Sequence, residues 1–167
     1  KIGFIFQDFN LLDSLDVKDN ILLPMILEKK SPEQLEQKLT QLSELFGLQS
    51  ILHKFPHEIS GGQKQRVAIS RALINEPAII FADEPTGNLD SKNAAILMEN
   101  LKKIVDQLET TILLVTHDVF AARYCQTVLF IKDGSLHSSI LNGGNQQEFL
   151  QQIMSSLTDE GGINHDI

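Results

Sequence analysis

Four groups of polar side chains in this 167-residue sequence have types and spacing that could do chemistry: Gln7, the run Ser60-Gly61-Gly62-Gln63, the pair Asp83-Glu84, and His117. Asp83 and Glu84 close an apolar run, Ile79-Ile80-Phe81-Ala82. Neighbours on a strand face opposite ways, so two adjacent carboxylates suit different tasks rather than joint ligation. A carboxylate at the tip of an apolar strand is a usual Mg²⁺ partner in phosphate-binding folds, directly or through water. The next one is placed to polarise an attacking water. A free Glu has a pKa of about 4.3, so Glu84 needs partial burial or close placement to act as a base near neutral pH. His117 ends another apolar run; it donates to a phosphate oxygen, holds Glu84, or simply caps a strand end. Ser60-Gly61-Gly62-Gln63 reads as a capping box, but its two glycines also let backbone N–H groups approach an anion at a helix N-terminus. At ordinary residue frequencies this tetrapeptide is expected on the order of 10⁻³ times in such a chain, which makes chance a weak competitor.

These residues need elements to position them. Ile2–Phe6, Ala78–Ala82 and Thr110–Thr116 are continuous apolar runs and predict strands buried on both faces, as in a parallel sheet. A long helix from about Ser91 to Gln107, with Leu97, Leu101, Ile104 and Leu108 on one face, makes the last two a parallel crossover. In such a sheet all strand C-termini share one edge, where ligands bind, so Gln7, Asp83-Glu84 and His117 are expected in one crevice. Leu11 to about Phe55 has helical texture. Ser31-Pro32-Glu33-Gln34 starts a helix whose stripe Leu35, Leu39, Leu42, Phe46 ends at Gly47. A further helix runs from Ser60 to about Leu73. Thr127–Ile140 reads as a hairpin turning at Asp133-Gly134, Glu148–Ser156 as a short helix, and Asp159–Ile167 as loose.

Taken together, the residues resemble the ABC-type ATPases. Ile59-Ser60-Gly61-Gly62-Gln63-Lys64-Gln65-Arg66 is similar to the signature motif, with Ile where Leu is commonest. Ile79–Glu84 resembles the Walker B strand, Gly87-Asn88-Leu89-Asp90 the D-loop, Gln7 the Q-loop glutamine, and Thr116-His117-Asp118 the switch histidine. The resemblance implies an α/β fold, a P-loop-NTPase-type parallel sheet with an inserted helical subdomain. It implies a partial nucleotide-binding domain over 1–167, with the helical subdomain at about 10–75, a RecA-like core at 1–9 and 76–141, and a tail at 142–167.

The cofactors implied are ATP and Mg²⁺. Asp83 would hold the metal through water, Glu84 would be the general base, Gln7 would sense metal and water, and His117 would contact the γ-phosphate. Two such domains clamp ATP head to tail. Ser60, Gly61, Gly62 and Gln63 would therefore meet the γ-phosphate held by a second ATPase subunit, and Asp90 would work across the same interface. Lys64 and Arg66 would be structural or weakly electrostatic. Phe4–Leu12 and Phe81–Asp90 resemble the macrolide-export and lipoprotein-release branch. Asn20–Pro24, Phe130–Gly134 and Gln147–Met154 are most similar to bacitracin-type antimicrobial-peptide exporters of Gram-positive bacteria. A peripheral position on the cytoplasmic face of the bacterial plasma membrane, with a separate permease, follows from that resemblance. The segment Leu11–Leu27 would lie near the permease contact or serve as helical core.

The sequence also departs from the family in lacking the phosphate-cradling loop and the antiparallel lobe that usually stacks the adenine. It contains no Gly-x-x-x-x-Gly-Lys-Ser/Thr, whose amides and Lys normally cradle the β- and γ-phosphates. The family places that loop upstream of the Q-loop, so the expectation is an N-terminal truncation, and a chain that alone neither binds nor hydrolyses ATP appreciably. Competing readings are a macrolide- or lipoprotein-type exporter ATPase, and a non-catalytic module supplying only a signature half-site. A DNA-repair relative would need a coiled-coil insertion, for which the spacing from Gln7 to Ser60 leaves no room. Composition narrows the classes further. A net charge of −8 makes a nucleic-acid backbone an unfavourable partner. The longest uncharged apolar stretch, Ile21–Leu27, is far short of the roughly 18 residues of a membrane span. A single cysteine, Cys125, excludes an intramolecular disulfide.

Overall fold

Three parallel strands carry the candidate chemistry. In the computed structural model, which describes residues 1–108 and 110–161, these are β1 (Ile2–Ile5), β2 (Ile79–Asp83) and β3 (Thr111–Val115). Their order is β1-β2-β3, with Phe4 paired to Phe81 and Phe81 to Leu113. Between β1 and β2 lie three α-helices, α1 (Val17–Leu27), α2 (Pro32–Phe46) and α3 (Gly61–Leu73), with two 3-10 turns between α2 and α3, and between β2 and β3 lies α4 (Ser91–Leu108). The chain divides into two compact units, Lys1–Val115 and Thr116–Ile167.

The helix boundaries follow from local chemistry. Ser31 caps α2 with a reciprocal box to Gln34, Pro32 opens it, and Gly47 closes it in the left-handed conformation at φ 62°. Ser60 and Gln63 make the same box at the head of α3. Asp16 caps α1, and Pro24 is carried inside that helix. The first unit's core is built from Val17, Ile21, Leu22 and Met25 of α1, Leu39, Leu42 and Phe46 of α2, and Val67, Ala68, Ile69 and Leu73 of α3. Leu12, Ile26 and Leu27 stay exposed. On α4 the buried stripe is Leu97, Met98, Leu101 and Ile104. Leu108, expected on that stripe, is exposed because it is the final residue of the helix.

The strands correct one expectation. Their near-continuous apolar runs predict burial on both faces, yet among the described residues only one face is covered. Gly3, Ile5, Ile80 and Ala82 are buried. On the other face Phe4 is 49% exposed, Leu113 41% and Val115 56%. The rings of Phe4, Phe6 and Phe81 stack along that face at centroid distances of 5.9 and 5.6 Å. The covered face is close-packed: a β-carbon on Gly3 would come within 2.7 Å of the Ala72 carbonyl oxygen at the end of α3.

The second unit contains the short helix α5 (Val119–Ala122), the antiparallel hairpin β4 (Thr127–Lys132) and β5 (Ser135–Leu141), and α6 (Gln146–Gly161). The hairpin turns at Asp133 and Gly134, both at positive φ. Phe130, Phe149 and Ile153 form its buried cluster. Helix α6 is longer than the Glu148–Ser156 read from sequence. It takes in 159–161 of the stretch expected to be loose, and 162–167 lie outside the described residues. No described helix is long and apolar enough to cross a membrane.

Candidate functional site

Asp83 is the last residue of β2, and its carboxylate is exposed beyond the sheet edge. Glu84 follows at φ 43°, a left-handed conformation that costs a non-glycine residue about 1–3 kcal/mol. Two hydrogen bonds hold it there. Its N–H donates to the Val115 carbonyl at 2.9 Å, and its carbonyl accepts the Gly87 N–H at 3.0 Å. The ladder thus continues one residue past the strand and then turns sharply, through buried Pro85 and Thr86, toward Gly87.

Gln7 begins an irregular segment that runs to Asp16, and it lies against that turn. A β-carbon added to Gly87 would sit 2.8 Å from Gln7 Nε2 and 3.1 Å from its Cδ, so glycine is what lets the amide approach. Asn88 Nδ2 donates to the Gln7 carbonyl at 3.0 Å and to Asp8 Oδ1 at 3.3 Å. Phe9 and Asn10 are both left-handed, at φ 62° and 47°. Their carbonyls accept from the two terminal nitrogens of Arg71, at 2.8 and 2.6 Å. Further along, buried Asn20 bonds the backbone of Leu12, Leu15 and Asp16 through four hydrogen bonds. Backbone groups in a loop must find partners, and here side chains supply them.

The head of α3 is open. Ser60 Oγ accepts the Gln63 N–H at 3.3 Å, and Gln63 Oε1 accepts the Ser60 N–H at 2.9 Å. This leaves the Gly61 and Gly62 amides as the first-turn donors that no helix satisfies internally. Among the described residues, its chain neighbours and the helix's own backbone aside, nothing comes within 4 Å of where a Gly61 β-carbon would stand. Gly62 faces Asn93 Oδ1 at 3.6 Å from its β-carbon position. Asn93 donates its own amide to Asp90 Oδ2, while Asp90 Oδ1 accepts the N–H groups of Lys92 and Asn93 at 3.0 and 2.9 Å. The backbone N–H and then the side chain of Asn93 hold the Asp90 carboxyl below the usual aspartate range. On the inner side of α3, Gln65 is buried with neither amide atom partnered among the described residues.

Gln7, Asp83, Glu84, Ser60–Gln63 and Asp90 therefore share the Lys1–Val115 unit, and His117 belongs to the second. There the Thr116 hydroxyl accepts the Asp118 N–H at 3.0 Å, and Asp118 caps α5. Two residues with structural reach had no role in the sequence reading: Arg71 and Asn93. Asn88 lies inside the D-loop motif, which was signal enough to find it. Burial pushes the thiol of Cys125 up from its ordinary pKa.

A parallel three-stranded sheet whose strands are joined through helices, with a carboxylate pair at a strand tip and a glycine-headed helix, defines an α/β fold with crossover connections. Residues 1–87 match the ABC transporter family profile, and the chain belongs to that family. It is 48% identical over its full length to the ABC transporter ATP-binding protein YxdL of Bacillus subtilis, covering 65% of that protein. It is also 48% identical, over 99% of its length and 66% of the relative's, to the bacitracin export ATP-binding protein BceA of Halalkalibacterium halodurans. The chain thus spans about two thirds of these curated relatives. Among solved structures it resembles the dimeric post-hydrolysis state of the ATP-binding cassette MJ0796 of Methanocaldococcus jannaschii, bound to ADP and Pi. The TM-score is 0.74 at 38% identity, over 87% of this chain and 64% of that one.

Proposed function

We propose that this chain belongs to the ATP-binding and hydrolysing subunit of an ABC transporter that powers export or removal of an antimicrobial peptide through a separate permease. The observation that carries the reading is the seating of the Gln7 amide against Gly87, one turn from Asp83 and Glu84, in a unit that also presents the open head of α3. The likeness to a bacitracin export protein supports the peptide cargo.

In this reading Glu84 accepts the proton of the hydrolytic water. Gln7 orients that water and relays its state, and His117 donates to the γ-phosphate. Asp83 would hold Mg²⁺ through water, which when bound neutralises phosphate charge. The donor set suits that ion. Among the described residues no three His, Cys, Asp or Glu side chains form an all-protein cage. Mg²⁺ is normally held by one or two carboxylates plus water and phosphate. The α3 head, with Ser60, Gly61, Gly62 and Gln63, serves the γ-phosphate of ATP held by a second subunit, and Asp90 works across that head-to-tail interface. Residues 10–75 form the helical subdomain, and exposed Leu12, Ile26 and Leu27 offer it an apolar surface toward the permease. The site works at the cytoplasmic face of the membrane.

The test is ATP turnover by the full gene product with its permease, wild type against Glu84→Gln. Removing a general base is expected to lower kcat by at least about 10²-fold with ATP binding retained. Unchanged turnover in the variant would remove the base assignment. A gene product that binds no ATP would remove the reading altogether.

A further inference from the structure

Helix α3 carries one buried residue that its pattern does not explain. Gln65, Ala68, Ile69 and Ala72 recur at helical spacing and share one face, and all four are buried. An apolar side chain is the expected occupant at the head of such a stripe. Gln65 puts a primary amide there instead, in a residue 1% exposed. Neither its nitrogen nor its oxygen has a hydrogen-bond partner among the described residues. Other buried polar side chains show the rule that it breaks. Asn20 makes four hydrogen bonds. Ser43 donates to the Thr40 carbonyl at 3.0 Å, Ser70 to the Arg66 carbonyl at 2.9 Å, and Thr110 to the Pro77 carbonyl at 3.4 Å. A buried amide without partners carries the full cost of leaving water, and breaches of a local rule concentrate where strain serves function.

Gln65 stands four residues behind Gly61 in the same helix, about 6 Å of helical rise. A displacement of the exposed head therefore carries Gln65 with it, against the α1 and β1 elements on which α3 packs. We propose that Gln65 is a positioning residue that biases α3 between two places. In the one described here its amide is unpaired; in the other, taken up when the head engages a phosphate, the amide is paired. The proposal rests on the reading that the Ser60–Gln63 head meets a γ-phosphate, and it adds a source of free energy for that engagement. A group paired in one position and unpaired in the other shifts the equilibrium by that difference alone. Gln65 touches no nucleotide and acts through the turn of helix that precedes it.

Two substitutions test it, Gln65→Met and Gln65→Leu, which approximately keep the volume and remove the amide. Thermal melting of the full gene product without nucleotide is read beside ATP turnover by its complex with the permease. The resting position loses an unpaired buried group, so at least one variant should melt about 2–4 °C above wild type. Turnover should move the other way. In both variants kcat should fall about tenfold with KM for ATP within about twofold, because the engaged position has lost its bias while the nucleotide contacts remain. A glutamine with a structural role only would instead lower the melting temperature and leave kcat unaltered below the transition. If both variants melt below wild type or fail to fold, the amide is partnered at rest and the proposal is overturned. A raised melting temperature with unchanged kcat overturns it equally. A wild type that turns over no ATP removes the nucleotide reading and the positioning role with it, while the melting arm still decides whether the amide is unpaired.

Discussion

Replacing Gly87 with Ala isolates the contact on which the site reading turns. The new β-carbon would lie 2.8 Å from Gln7 Nε2, 3.1 Å from its Cδ and 3.3 Å from the Glu84 carbonyl oxygen. Ordinary contact begins near 3.4 Å. The amide nitrogen must therefore withdraw by about 0.6 Å and the amide carbon by about 0.3 Å, while the backbone contact is nearly tolerable. Gln7 is exposed and flexible at its far end, so the shift is cheap. Gly87 is not at positive φ. Alanine at a compatible glycine position gains about 0.4–1 kcal/mol through the unfolded chain. Stability should consequently change by less than about 1 kcal/mol, a Tm shift within about 4 °C at this size.

Function should not be spared in the same way. A misplacement of about 1 Å in a catalytic constellation can cost about 10²-fold, so a displacement near half of that predicts about tenfold in kcat. The assay is ATP turnover of the full gene product, with thermal melting alongside. A double-mutant cycle with Gln7→Ala then decides the cause. If the β-carbon acts by expelling the Gln7 amide, Gly87→Ala adds less than about twofold once that amide is gone. Multiplicative losses in the double variant would refute the reasoning, because they would mean that Gly87 acts through something other than Gln7.

Gly3→Ala should give the opposite outcome: its β-carbon meets the Ala72 carbonyl at 2.7 Å, a backbone atom that cannot step aside, so about 1–3 kcal/mol of stability is lost in denaturant melts with kcat unaltered below the transition. Asn93→Ala should raise the Asp90 pKa partway, read by carboxyl NMR titration, since the backbone N–H of residue 93 remains after the side-chain donor is removed. Because the folded pKa is depressed, Asp90's stabilising share is full above the unfolded aspartate value of about 3.9 and fades as pH falls through the lower folded value; Asn93→Ala should narrow that window. Cys125, its pKa raised by burial, should react with a thiol reagent at pH 8 more slowly than a free thiol, and at the ordinary rate in denaturant.

What was legible in the sequence was what local chemistry decides. Ser31 and Ser60 cap helices because a hydroxyl three residues before Gln34 or Gln63 satisfies a first-turn amide, and that needs no tertiary context. Gly47 and the Asp133-Gly134 turn follow from φ preferences alone. The three strands were legible as apolar runs, but their burial was not. Phe4, Phe81 and Leu113 have the composition of a covered face, yet among the described residues Phe4 and Leu113 are exposed and Phe81 is only half-buried. Burial depends on what lies opposite, which a run of apolar letters does not encode.

The site divides along the same line. The positions of Gln7, Ser60, Asp83, Glu84 and Asp90 are carried by short motifs whose spacing a reader can match. The bonds that Arg71 and Asn88 make to the Gln7–Asn10 segment are not, because they join residues 61 to 81 apart through side chains of common types. An arginine two residues from the end of an amphipathic helix ordinarily means a solvated or dipole-paired charge. Only the left-handed turn of Phe9 and Asn10 gives Arg71 a different meaning, since it aims two carbonyls where one guanidinium can take both. Neither residue type favours that conformation strongly enough to announce it; asparagine tolerates it, and phenylalanine does not. The strain and its restraint are therefore mutual, each legible only once the other is in view. That is the physical reason a substitution at Arg71, outside every motif, should be felt at Gln7.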